Sequence, residues 1–485
     1  MAEGMGVGAA VRRLEDERLL KGRGRFVGDI ALVGMKDIAL VRSPLAHARI
    51  RAIEVPPEHR GAVFTWADMA KAGVKPIRAA SSLPGFKISD QPPLADGKVR
   101  FVGEPIAACV GRTRAEAEDI AAEVMVDFEE LPVNADTLES ARAPASKIHE
   151  HWSDNIFLEA DTVAGDIEGI AASAPIKVSR QIRMARQCMV PLEGKGVVAA
   201  WERQAEQLTL HTSTQMPHIV RQGLAECLGV DQGLIRVIAP DVGGGFGYKG
   251  LLQAEEVIAA WLARALDHPV RWTEDRREHL VAAANAREHR YEITAYADAN
   301  GRLLGLDARA WVDAGAYSVY PFSACLEAAQ VGSILPGPYD FAHYRCHTFS
   351  VCTNKPPIVP YRGVARTGVC LAIEQIMDAI AGAVGREPHE VRLINLVPPE
   401  KMPFVNVTQK HFDSGDYPES MRRAVAAIDI PAVRARQKKG EPDGRRIGVG
   451  LAIYCEQAGH GTAVYQGWGI PMVPGHEQAQ ARITP

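Results

Sequence analysis

The sequence predicts an α+β chain: a small N-terminal α/β unit followed by a larger α/β body. Three observations predict it. Short apolar strand-like runs alternate with capped, amphipathic helices along the chain. The elements lengthen after about residue 165. Between the two parts lies a stretch of Pro, Ala, Ser and His with no hydrophobic period. The expected division is 1–133, a linker over 134–160, a main unit over 161–395, and a partial further unit over 396–485.

In the first unit, Ile38–Arg42 and Ile106–Val110 read as strands, the second entered through the Gly103-Glu-Pro105 turn. Thr113-Arg-Ala-Glu116 has the spacing of a capping box opening a helix that runs through Glu123. Val124, Val126 and Phe128 alternate as a strand until Leu131-Pro132. In the main unit, Leu208–Leu210 starts a strand, and Pro217–Leu228 reads as a helix with proline in its first turn. Leu234–Ala239 reads as a strand, and Leu252–Leu266 as a helix ended by His268-Pro269. Tyr291–Tyr296 and Leu303–Ala310 form a hairpin about Asp298-Ala-Asn-Gly301. Ile373, Met377, Ile380 and Val384 mark a helix stopped by Gly385, and Pro388 opens another that ends near Asn395. A last strand is expected over Gln478–Ile483.

Composition narrows the class. Of 485 residues, 47% are hydrophobic and 24% charged, which suits a sizeable globular core. A net charge of −4 gives no case for binding nucleic acid or an anionic membrane. The first thirteen residues carry no long apolar run, and no run of about 18 apolar residues occurs. The expectation is a cytoplasmic chain without membrane insertion. Eight scattered cysteines form no C-x-x-C pair, which argues against zinc ribbons and iron–sulfur clusters in this chain and for buried, reduced thiols.

The chemistry concentrates in two loops. Asp241-Val-Gly-Gly-Gly-Phe-Gly-Tyr-Lys249 places four glycines, Gly243, Gly244, Gly245 and Gly247, in five residues. Such bare backbone takes positive φ and lets N–H groups approach an anion. Strand, glycine loop and helix in succession also aim a helix N-terminus at a phosphate, so the loop predicts a polyanionic cofactor. One alternative is a dinucleotide enzyme, since Gly245-Phe-Gly-Tyr-Lys-Gly250 fits G-x-G-x-x-G. Against it stand the lack of a clear βαβαβ run, the position of Asp267 in a helix-ending turn, and bulky Phe246 at the crest. The second loop, Pro360-Tyr-Arg-Gly-Val-Ala-Arg-Thr367, precedes a helix.

These segments resemble, in order and spacing, the large molybdenum-binding subunits of the xanthine dehydrogenase and aldehyde oxidase family. Arg13-Leu-Glu-Asp16 and Gly22-Arg-Gly-Arg-Phe-Val-Gly-Asp29 resemble the family's start. Val102-Gly-Glu-Pro105 and Val126-Asp-Phe-Glu-Glu-Leu-Pro132 resemble its small α/β hammerhead domain. Ser213-Thr-Gln215, Val242–Gly247, Thr273-Glu-Asp-Arg-Arg-Glu278 and Tyr361-Arg-Gly363 resemble its molybdopterin-binding domain.

The resemblance implies roles. Gln215 would donate to an oxo ligand of the metal. Gly244, Gly245, Phe246 and Gly247 would lie against the pterin and the metal ligands. Arg362 and Gly363 would form a second wall, with Arg362 and Gln215 as the catalytic candidates, and Val364 would face the substrate channel. No side chain would ligate the metal directly. The implied cofactor is molybdopterin carrying molybdenum, its cytosine dinucleotide form left open. Iron–sulfur clusters and FAD are implied on partner subunits.

Departures narrow the chemistry. Gly363 stands where carbon monoxide dehydrogenases carry a copper-binding cysteine, and Cys370 lies too far along to replace it. Gly250 stands where purine-oxidising members carry a glutamate. The family's catalytic glutamate, in a Gly-x-Gly-Glu segment, has no counterpart here. The expectation is therefore a subunit of a molybdenum hydroxylase acting on an aromatic N-heterocycle or an aldehyde, with water as oxygen source. A second molybdopterin subunit would carry the glutamate, beside iron–sulfur and FAD subunits. A non-catalytic or truncated molybdopterin-binding protein is the other alternative.

Overall fold

The computed structural model describes residues 8–471 together with Gly6, Ala481 and Ile483; the strand expected over 478–483 otherwise lies outside the described residues. Two large sheets organise the chain. A seven-stranded sheet runs in the order Ile235–Ile238, Gln207–Thr212, Gly196–Glu202, Val270–Thr273, Lys36–Arg42, Pro105–Gly111, Val63–Thr65. A five-stranded sheet runs Ile176–Met184, His289–Ala297, Leu303–Gly315, His343–Cys352, Ile156–Ala164.

The strand Pro105–Gly111 shows why the first sheet is covered on both faces. All seven of its residues are buried. Ala107 and Cys109 face a cluster with Ile120 and Val124, while Ala108 and Val110 face another with Met69, Leu94 and Val257. A continuous apolar run without alternation is what two-sided burial requires. The helix Arg114–Glu123 covers the first face, and a Cβ on Gly111 would lie 2.5 Å from the Ala117 nitrogen, so only glycine permits that approach. Thr113 caps this helix by accepting from the Glu116 N–H. The reciprocal half of the expected box goes elsewhere: Glu116 accepts from the Arg112 N–H at 2.7 Å.

The N-terminal unit does not stand apart. Lys36–Arg42 pairs parallel with Val270–Thr273, so one sheet crosses the division expected at 133. Arg42 reinforces the seam through Glu255 at 2.8 Å and Glu278 at 2.7 Å. The segment 134–160, expected as a linker without a hydrophobic period, carries the helix Thr137–Arg142, capped by Asp136, and the start of the strand Ile156–Ala164. It is ordered because its polar groups are used. Ser140 donates to the Cys352 carbonyl at 2.7 Å, and Thr137 donates to Asp313 at 3.0 Å. Asp313 is itself held by Arg186 and Lys355.

The hairpin expected around Asp298–Gly301 forms between His289–Ala297 and Leu303–Gly315. Helix Ala365–Val384 ends at left-handed Gly385 as its sequence requires. It has the length and hydropathy of a membrane span, unlike the expectation from apolar runs alone. Here it is a core helix, with Ala372, Ile376 and Ile380 packed in the cluster that also holds Ile293 and Leu306 of the five-stranded sheet.

Candidate functional site

The two loops meet backbone to backbone. The Arg362 N–H donates to the Phe246 carbonyl at 2.9 Å. A Cβ built on Gly247 would lie 1.7 Å from the Pro360 carbonyl oxygen, and Gly247 has φ +108°. No other residue type fits this position. Gln215 joins them: its Oε1 accepts from the Gly247 N–H at 2.9 Å, and its own N–H donates to the Lys249 carbonyl at 2.9 Å. A Cβ on Gly245 would lie 2.4 Å from that same Gln215 oxygen.

Two bulky residues hold positive φ at this junction, Phe246 at 56° and Val364 at 48°. Such a conformation costs about 1–3 kcal/mol for a non-glycine residue and persists where the surroundings overdetermine it. Phe246 is 44% exposed despite its size. Val364 sits at the start of the helix Ala365–Val384 and packs with Phe322, Leu326 and Trp468.

A polar platform holds the glycine loop from beneath. The Glu193 carboxylate accepts from the Gly243 N–H at 2.7 Å and from the Lys249 ammonium at 2.8 Å. Tyr248 donates to Glu274 at 2.6 Å, and the other Glu274 oxygen meets His279 Nδ1 at 2.9 Å. The second nitrogen of His279 bonds the Met189 carbonyl. Burial opposes charge on His279, but its bonds to Cys188, Glu274 and Met189 and the Glu274 charge outweigh burial and push the imidazole up to about 10. The second loop has its own support. Arg287, 4% exposed, donates to the carbonyls of Tyr361 and Arg362 at 2.5 and 2.6 Å and lies 4.5 Å over the Tyr361 ring.

The free donors define what the junction can hold. Among the described residues, the N–H groups of Gly244, Gly245, Phe246 and Gly363 and the Nε2 of Gln215 donate to no protein acceptor. These are uncharged donors grouped on two touching loops and on Gln215 beside them. They suit an electron-rich ligand whose charge is spread over oxygen and sulfur, as in a molybdenum–dithiolene complex. A metal held by its pterin sulfurs needs no ligating side chain, and no group of three His, Cys, Asp or Glu with metal-binding spacing occurs among the described residues.

The expectation that a helix N-terminus faces the anion is corrected. Helix Ala254–Leu266 starts well past the glycines, with Gln253 as its N-cap and Glu255 and Glu256 in its first turn. Glu256, fully buried, accepts from the Gln253 N–H at 2.9 Å and pairs with Lys195 at 2.9 Å. That helix end is filled by the protein's own carboxylate. The dinucleotide alternative fails with it. Gly245–Gly250 folds into two tight turns, Tyr248 to Gly245 and Gly250 to Gly247, with no helix opening on them.

Gln215, Gly244, Gly245, Phe246, Gly247, Arg362, Gly363 and Val364 thus fall on three contacting segments. The Arg362 side chain is exposed and, among the described residues, pairs with no carboxylate; its backbone makes the contact. Sequence reasoning missed Arg287, Glu193 and His279. The only signal for Arg287 was the charged run Arg287-Glu-His-Arg290 at the entry to the strand His289–Ala297.

Fold and site together define a cofactor-cradling subunit of the molybdopterin class. The molybdopterin cofactor-binding domain model matches residues 148–396, and the aldehyde oxidase and xanthine dehydrogenase a/b hammerhead domain model matches 21–132. The chain belongs to the xanthine dehydrogenase and aldehyde oxidase family of molybdopterin-binding large subunits. It is 34% identical to the nicotine 6-hydroxylase large subunit of Paenarthrobacter nicotinovorans, covering 96% of this chain and 57% of that one. It is 30% identical to the carbon monoxide dehydrogenase large chain of Hydrogenophaga pseudoflava, over 93% and 58% respectively. Quinoline 2-oxidoreductase from Pseudomonas putida 86 superposes with a TM-score of 0.91 at 36% identity, over 95% of this chain and 59% of that one. The chain spans less than two thirds of the length of these relatives.

Proposed function

We propose that this chain is the molybdopterin-holding part of a cytoplasmic, multi-subunit molybdenum hydroxylase that oxidises an aromatic N-heterocycle or an aldehyde. The observation that carries the reading is the grouping of five unpaired, uncharged donors on loops locked together by the Arg362–Phe246 bond. When bound, the molybdenum centre supplies oxygen derived from water and takes up the substrate's electrons. Gln215 Nε2 and the amides of Gly244, Gly245 and Phe246 orient the cofactor without adding charge, and the Gly363 amide closes the second side. Val364 lines the approach of the substrate. The division at 133, 160 and 395 remains our assignment of domains, with 396–485 as part of a second cofactor domain.

In this reading the base that takes a proton from the attacking oxygen is a glutamate of a second molybdopterin subunit. Iron–sulfur and FAD subunits carry the electrons away, and the pterin carries a cytosine nucleotide. Gly363 in the position of the copper-binding cysteine sets the chain apart from carbon monoxide oxidation. The test is purification of this chain alone and with a co-expressed Gly-x-Gly-Glu subunit. Molybdenum and pterin should co-purify with the pair, and turnover should require both. Turnover by the lone chain would overturn the trans-acting base, and a pair free of molybdenum would overturn the whole reading.

A further inference from the structure

Residues 447–457 make a run that belongs to no helix and no sheet, yet its burial alternates strictly. Ile447 and every second residue to Gln457 are buried or half-buried, and the residues between them are exposed. A period of two marks an extended strand lying with one face on a core. The core face is anchored: Ile453, 8% exposed, and Leu451 pack in the cluster that holds Ile376, Val391 and Met421.

The two edges of the run differ. In an extended strand the N–H and C=O groups of odd-numbered residues point to one edge and those of even-numbered residues to the other. On the odd edge, side chains stand in for a neighbouring strand. Arg392 donates to the Leu451 carbonyl at 3.0 Å, Gln437 donates to the Ile447 carbonyl at 2.9 Å, and the Glu374 carboxylate accepts from the Ile453 N–H. On the even edge, the main-chain groups of Gly448, Gly450, Ala452, Tyr454 and Glu456 have no partner among the described residues. The exposed face beside that edge is open. A Cβ built on Gly448 or Gly450 would meet nothing within 4 Å, and Tyr454 is 69% exposed. A row of unpaired main-chain groups along one edge is a template for another strand.

The run is complementary to itself. An antiparallel second copy, turned about a two-fold axis at Ile453, sets Ala452 against Tyr454 and Gly450 against Glu456. The unpaired groups of each even edge then face those of the other. Ile453 lies beside its own counterpart and Leu451 beside Cys455, so the apolar faces of the two strands stay on one side. Glu456 meets a glycine, and no like charges are opposed. Parallel pairing in register would instead put Glu456 beside Glu456, which is unfavourable.

We propose that the even edge of residues 448–456 docks a second copy of this chain by antiparallel strand pairing across a two-fold axis. The pairing needs neither the cofactor nor any other subunit, so the purified full chain is the material for the test. In sedimentation it should be a dimer at about 50 µM and dissociate on dilution. Ala452→Pro should weaken that dimer about tenfold or more, because it deletes an even-edge N–H on both sides of the axis. The Ala452 side chain is exposed and its N–H unpartnered, and the preceding residue is already extended, as a residue before proline must be. The variant should therefore keep the melting temperature of the dilute wild-type chain. Leu192→Asp is the control. Leu192, 95% exposed beside the glycine loop, lies on a rival apolar surface, and its replacement should leave the dimer unchanged.

A monomer at about 50 µM, a dimer that a folded Ala452→Pro leaves intact, or a dimer lost in Leu192→Asp would each overturn the proposal. If Ala452→Pro melts early, hydrogen exchange in the wild-type chain decides. Amides of residues 448–456 should exchange about tenfold more slowly at about 50 µM than at about 0.5 µM. Equal exchange at the two concentrations would overturn it.

Discussion

The Arg362 backbone donates to the Phe246 carbonyl at 2.9 Å, joining two loops far apart in sequence. Each loop is pinned separately, one by Glu193 and Glu274 and the other by Arg287. The bond between them therefore brings together two surfaces that are already shaped, and the free donors on both sides keep fixed positions.

Gly247→Ala should break this junction. Its Cβ has no room beside the Pro360 carbonyl, and its φ of +108° strains any side chain. A loss of about 2–4 kcal/mol is expected, seen as a lower melting temperature together with loss of bound pterin. A variant with wild-type melting and full pterin would show that the loops part without consequence.

Phe246→Gly separates strain from function. Glycine takes positive φ freely, so the variant should keep its stability to within about 1 kcal/mol. Removing the half-exposed ring should nevertheless lower molybdenum content, measured by elemental analysis. Unchanged metal content would remove Phe246 from the cradle.

Gln215→Ala tests the amide donor. In the assembled enzyme, turnover should fall by about 100-fold, as for other donors that act on developing charge, and molybdenum content should fall much less. A parallel fall in both would reduce Gln215 to a prop for the Gly247 amide.

His279 gives a pH signature. Its folded value, near 10, lies above the ordinary 6.5. The stabilisation it contributes is therefore complete below about pH 6.5 and is lost as pH rises through 10. His279→Gln should lower the urea midpoint most at pH 6 to 7, with the gap to wild type closing toward pH 10. A gap that stays constant across this range would place the charge elsewhere.

The expected elements were legible wherever one face of a helix or strand carried the apolar pattern. Helix Pro388–Asn395 matches its proline start and stated end, and helix Ala365–Val384 its glycine stop. The helix within 134–160 was not legible, because its order comes from hydrogen bonds to distant residues, Cys352 and Asp313, which leave no period in the local sequence. The bareness of the glycine loop was legible, but not its contacts with Pro360 and Gln215. The helix end behind it seemed the natural anion donor until Glu256 proved to occupy it.

By itself, then, the sequence determined which backbone could be bare and which segments could be strand or helix, because glycine content and hydrophobic period are local properties. Only the tertiary structure decided that Gly247 lies against Pro360 and that Arg287 holds the second loop. Each of those depends on contacts between residues remote in the chain, and no local pattern encodes the distance at which two remote groups come to rest.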